Sequence, residues 1–157
     1  MPSEHFNTVL YTGNDNVNGP ILDVGFQPDF MWIKSRETIK THRLHDTIRG
    51  NDRTLFSDTT DAEAVSIQRV DFNYSETQAR ITSASNGWNE LGVDYVSWNF
   101  KAGGAAVTNT DGTITSQVSA NTEAGFSIVS YTGNGANGTV GHGLGVTPNI
   151  VLTKRRD

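Results

Sequence analysis

The chain has 157 residues, 35% hydrophobic and 18% charged, with a formal net charge of −5 and no cysteine. That length holds one domain with a proper core, and the missing cysteines exclude disulfides, thiolate zinc sites and a cysteine nucleophile. The acidic balance argues against nucleic-acid binding by bulk charge, and no apolar run approaches the ~18 residues of a membrane span or a signal-peptide core.

Gly, Ser, Thr and Asn together supply 61 residues, Thr alone 19. They favour turns or strands over helix. No window carries the apolar spacing of an amphipathic helix. In chain order, extended segments are expected at 6–12, 29–36, 43–48, 69–72, 78–82, 93–101 and 126–132. A single short helix is expected at 60–66. Turn clusters separate the strands, among them Gly13-Asn14-Asp15-Asn16, Ser85-Asn86-Gly87 and Gly133-Asn134-Gly135. Asp111-Gly112 between Val107 and Ile114 predicts a tight type I′ hairpin. This pattern predicts an all-β fold, an antiparallel β-sandwich. The alternation at 95–101 places Val96, Trp98 and Phe100 on one face, expected to be core. Tyr95, Ser97, Asn99 and Lys101 fall on the other. Val9, Tyr11 and Trp32 are expected to join that core.

The most informative feature is an internal repeat. At a shift of 120 residues, the segment from Phe6 to Asn14 returns as the segment from Phe126 to Asn134, and Gly25, Pro28, Lys34 and Arg36 return as Gly145, Pro148, Lys154 and Arg156. Ten of 31 positions are identical without a gap. Phe30 and Trp32 correspond to Ile150 and Leu152, so apolar character is kept while shape changes. Gly25 is expected either to permit a tight approach or to adopt positive φ before the next strand. The organisation expected is a β-rich unit over 1–121 followed, over 122–157, by the opening strands of a second copy. Those surplus strands belong either to a longer tandem array or to a sheet completed within or between subunits.

These strings resemble a repeated module of bacteriophage tail-fibre and other virion proteins, of the kind abundant in marine phages and cyanophages. The resemblance runs from Phe6 to Asn14 and from Val24 to Arg36, then from His42 to Gly50 and from Tyr95 to Gly104. It resumes in the second opening strand with Gly141-His142-Gly143-Leu144-Gly145. Residues 69–92 depart most from the pattern. The resemblance implies a concanavalin A-like β-sandwich serving as a structural and host-attachment module of the virion, assembled in the host cytoplasm. Its expected partners are other copies of itself, a trimer being plausible, and other virion proteins. It implies no catalytic residues.

Candidate sites are few. Tyr74, Trp88 and Tyr95 are the aromatic residues suited to an exposed glycan platform, Trp88 because it follows the turn at Asn86-Gly87. Lys34, Arg36, Lys40 and Arg43 open a segment, 34–53, with a local net charge of +3. Such a strip suits anionic host polysaccharide or an acidic neighbouring subunit. Asn14, Asn16, Asn18 and Gly19 imitate the start of a calcium loop, but the twelfth position is Gly25 and a solvated Asn-rich turn is the better reading. Asp58, Asp61 and Glu63 form a second oxygen cluster, for which the alternative reading is the cap of a short helix. His42 and His45, three apart on a strand, fall on opposite faces and so do not converge on a metal. Asp46 and Arg49 are expected to pair at a sheet edge. No metal, cofactor or catalytic constellation is expected. The alternatives to a structural module are a carbohydrate-binding module and, less well supported, a polysaccharide depolymerase.

Overall fold

A computed structural model describes residues 4–65, 69–83 and 87–157. Among these described residues are twelve strands: β1 (Phe6–Thr12), β2 (Ile21–Asp23), β3 (Phe30–Ser35), β4 (Arg43–Asp46), β5 (Arg53–Phe56), β6 (Ala64–Val65), β7 (Arg69–Asp71), β8 (Gln78–Thr82), β9 (Asp94–Phe100), β10 (Val107–Asn109), β11 (Ser116–Asn121) and β12 (Phe126–Tyr131). All pairings between them are antiparallel. Among the described residues there is no helix, hence none long and apolar enough to cross a membrane. The helix expected at 60–66 is absent from its described part: residues 60–63 are irregular and Ala64–Val65 pairs with β5. Residue 66 lies outside the described residues, as do residues 85 and 86 of the expected turn at Gly87.

Two sheets form the sandwich. One has six strands in the order β1-β9-β3-β4-β5-β6; the other has three, β2-β8-β7. Their facing sides bury Met31, Ile33 and Tyr95 against Leu22, Ala79, Ile81 and Val70. The connections add Val24, Phe26, Phe72 and Trp88, and Val9 and Tyr11 pack at the margin. A third sheet, β10-β11-β12, carries the start of the second copy.

The core face of β9 is the reverse of the one alternation suggests. Tyr95, Ser97 and Asn99 are fully buried, whereas Val96, Trp98 and Phe100 are only partly covered on the outer face, with Trp32. The polar pair is accommodated because it satisfies itself. Ser97 Oγ donates to Asn99 Oδ1 at 2.8 Å, and Asn99 Nδ2 donates to the carbonyls of Asn7 and Ser97 at 3.0 and 3.1 Å. A buried polar group with its hydrogen bonds made carries little penalty. Tyr95 supplies the apolar mass on that face, stacked on Tyr11 with ring centroids 5.1 Å apart.

The expected two-residue turn at Asp111-Gly112 is replaced by a longer loop between β10 and β11. Gly112 has φ +91°, as expected, but the loop is held open by Val140, which bridges both Gly112 and Ile114. The two copies share a strand at their start, β1 and β12, and positive φ at their common glycine, +86° at Gly25 and +73° at Gly145. They differ afterwards. Phe30–Ser35 is a strand between β9 and β4, while Ile150, Val151 and Leu152 form no strand and lie 79%, 71% and 78% exposed.

Candidate functional site

An exposed platform of Trp88, Tyr74 and Tyr95 does not form. Trp88 is 0% exposed: its indole lies 4.6 Å from the His45 ring at an interplanar angle of 6°. Its Nε1–H donates to Ser83 Oγ at 3.0 Å, and its carbonyl accepts the Tyr11 hydroxyl at 2.7 Å. With its polar atom partnered, nothing holds the ring at the surface. Tyr95 is equally buried, its hydroxyl accepting the Glu90 N–H at 3.2 Å. Burial, reinforced by Tyr95 and opposed by Arg43, pushes the Tyr11 hydroxyl well above the ordinary tyrosine pKa. Only Tyr74 reaches the surface, 38% exposed, with the Arg80 guanidinium 4.9 Å from its ring centre. Arg80 is itself paired to Asp71 at 3.1 Å.

The basic strip is also dispersed. Lys34 Nζ donates to the Ser35 carbonyl at 2.8 Å; Arg36 pairs with Asp94 at 3.5 Å and Lys40 with Glu90 at 2.5 Å. Arg43 points inward, its guanidinium 5.3 Å from the Trp88 ring centre and 5.5 Å from that of Phe56. Burial pulls its pKa below the usual guanidinium value, with Tyr11 and Tyr95 opposing. Charge counted along 34–53 omits Glu90 and Asp94, which strand pairing brings alongside.

Local oxygen clusters are engaged by the protein. Asn14 Oδ1 accepts the Asn16 N–H at 3.0 Å and Asn16 Oδ1 the Asn18 N–H at 2.9 Å, so the loop builds successive side-chain turns. Asp58 Oδ1 takes the His42 N–H at 2.8 Å. Glu63 is bound by Arg49 at 3.1 Å and Arg156 at 2.8 Å. Burial raises the Glu63 pKa, but the hydrogen bonds and charges of Arg156 and Arg49 outweigh it and hold the carboxyl below its ordinary range. The Asp46–Arg49 pair is buried rather than edge-exposed, with side chains 7% and 5% accessible. Among the described residues no group of three or more His, Asp or Glu is placed to hold a metal ion.

His45 sits beneath this network. It is fully buried, and neither ring nitrogen makes a hydrogen bond of good geometry. Burial first, then the charges of Arg49 and Arg43, hold its pKa well below that of ordinary histidine; the Arg53 backbone is the smallest, opposing influence.

The arrangement that remains is the outer face of the six-stranded sheet and the joint with the second copy. Phe100 packs against Phe6 at 4.7 Å, Phe30 at 5.8 Å and Phe126 at 4.8 Å between ring centres. Phe126, first residue of β12, also reaches Phe30 at 5.9 Å. Beside them Trp32 and Trp98 meet edge to face at 5.8 Å, and Leu10 stands 60% exposed. A cleft of about 390 Å³ opens between His5, Phe6, Phe100 and the turn residues Glu123 to Phe126, with His5 and Glu123 3.8 Å apart across it. Stacking rings and an unpaired sheet edge recognise apolar surface and extended backbone. The signal for this joint was the repeat itself, whose shared Phe6 and Phe126 mark both sides of it.

These features define an antiparallel β-sandwich with Phe126, from the recurrence of its opening strand, packed on the outer face of the six-stranded sheet. The chain belongs to the family described as Domain of unknown function (DUF7483), which matches residues 1–157. No curated protein and no solved structure matches it.

Proposed function

We propose that the chain is a structural module of a virion appendage, a bacteriophage tail fibre or related tail protein, assembling with other copies of itself and contributing to host-surface attachment. One observation carries this reading. The opening strand and its phenylalanine occur twice, and the second ring is packed on the aromatic face of the first unit. A module that stacks its successor on its own sheet transmits load through aromatic contacts and ladders. Its work is mechanical and adhesive, without a chemical step. The test is an antibody to this chain applied to purified particles of the phage whose genome encodes it. Decorated appendages are expected; absence of the chain's peptides from the purified particles overturns the reading.

A second reading, contact with host polysaccharide, rests on the surface cluster of Tyr74, Arg80 and Asp71. A partly exposed ring beside a guanidinium and a carboxylate suits a sugar. Saturable binding on a glycan array, abolished by Tyr74→Ala, is its expected result. A blank array removes it.

A further inference from the structure

The strand that opens the repeat is present twice, and each time it has one neighbour. As β1 it ends the six-stranded sheet and pairs with β9; as β12 it ends the third sheet and pairs with β11. Backbone hydrogen bonds from Lys101 to His5 and from Gly13 to Val93 put the odd-numbered residues of β1 in the ladder with β9. Ladder bonding alternates, so Thr8, Leu10 and Thr12 direct their N–H and C=O groups to the other side. There, among the described residues, no strand lies. The edge is seven residues long, with neither charge nor proline, and thus lacks the devices that blunt natural sheet edges.

We propose that the open edge of β1 receives the β10–β11 hairpin of a second copy of the chain, joining copies head to tail. The repeat sets the register. Val118 pairs with Val129 and Ser119 with Ile128 within the chain, so in the joint the partner's Val118 stands opposite Val9 and the partner's Ser119 opposite Thr8. A strand of this kind then has two neighbours, β11 on one side and β9 on the other, and the single chain displays each half once. In the joint, the incoming β1 takes the place that β12 holds beside β11. Two features favour the exchange. β1 brings Val9 and Tyr11, already seated against a core, whereas β12 leads into a tail whose apolar residues are exposed. Phe6 is also the counterpart of Phe126, so the incoming strand brings a ring already packed on its own Phe100 toward the partner's Phe30 and Phe100. The contact is heterologous, so it propagates from copy to copy into a ring or an open chain. It stands on strand pairing alone and holds whatever particle carries the protein.

The test uses the full chain. Val129→Asp sets a carboxylate opposite Val118, which is 3% exposed, and loosens β12 while leaving β1 intact. Phe126→Ala loosens β12 from its aromatic seat and serves if the first variant does not fold. Sedimentation velocity should then show a weight-average mass that rises with concentration to at least about twice the 17.1 kDa of one chain. Adding Thr8→Pro, or Thr8→Lys, disables the open edge without touching the β9 ladder and should return the mass to that of one chain. Near-ultraviolet circular dichroism confirms that each variant keeps its aromatic core. Single-chain mass in both loosened variants at every concentration overturns the proposal. So do oligomers that survive the Thr8 substitutions, which would place the contact on the outer aromatic face instead.

Discussion

Acid should weaken this protein through His45 before it reaches the carboxylates. The imidazole is 0% exposed, flat against Trp88, with no well-formed hydrogen bond to either nitrogen and with Arg49 and Arg43 contributing repulsion to any proton it gains. Its folded pKa is therefore depressed, while the unfolded chain titrates with a pKa of about 6.5. Below that value the unfolded state binds a proton that the native state refuses, so stability rises with pH and is lost as pH falls. Integrating one such proton from about pH 7.5 to about pH 5.5 gives a loss of about 1.4 kcal/mol, or roughly 3–6 °C in Tm for a domain of this size. Urea unfolding at both pH values measures it. His45→Phe keeps a flat ring against Trp88 and removes the titration, so that variant should lose less than half as much over the same interval. If parent and variant lose stability in parallel, the buried neutral imidazole is the wrong account of the acid sensitivity.

Three further predictions separate the buried from the apparent core. Trp88→Ala should cost about 3–5 kcal/mol, because it empties a fully enclosed site and removes the indole N–H that donates to Ser83 Oγ; Trp98→Ala, on the half-covered outer face, should cost about 1–2 kcal/mol, both by denaturant titration. Arg49→Ala leaves buried Asp46 and Glu63 short of their guanidinium and should cost about 3–5 kcal/mol, read as a fall in the urea midpoint. Gly13→Ala drives a methyl into the Glu90 carbonyl and should destabilise by about 1–3 kcal/mol, whereas Gly133→Ala, with nothing near its would-be methyl, should stay within about 0.5 kcal/mol by thermal melting.

Local pattern was a sound guide where backbone chemistry acts within a few residues. β1 and β8 fall on the expected bounds, and β3, β4, β7, β9 and β12 lie within their expected segments, because runs of Thr, Val, Ile and aromatic residues between turn formers leave few other conformations. β2, β5 and β6 escaped notice, and β10 and β11 were signalled only by the hairpin expected at Asp111-Gly112. They are short, or rich in Ser, Asn and Arg, and exist because a neighbouring strand offers a ladder. The candidate sites fared worse. Trp88 follows a turn and reads as a surface residue, yet Ser83 and Tyr11 meet its polar atoms inside. Arg36 and Lys40 read as free cations, yet Asp94 and Glu90 stand beside them across the fold.

By itself the sequence determined that this chain is all-β, that its opening strand is written twice, and that Gly25 recurs as Gly145. All three are properties of residue type and period. Only the tertiary structure decided which face of β9 turns inward. Alternation separates two faces but does not rank them. Ser97 and Asn99 could be buried only because Asn7, 92 residues from Asn99, supplies the missing acceptor. Burial of a polar strand face depends on partners that the chain brings together only when folded, and no local reading contains them.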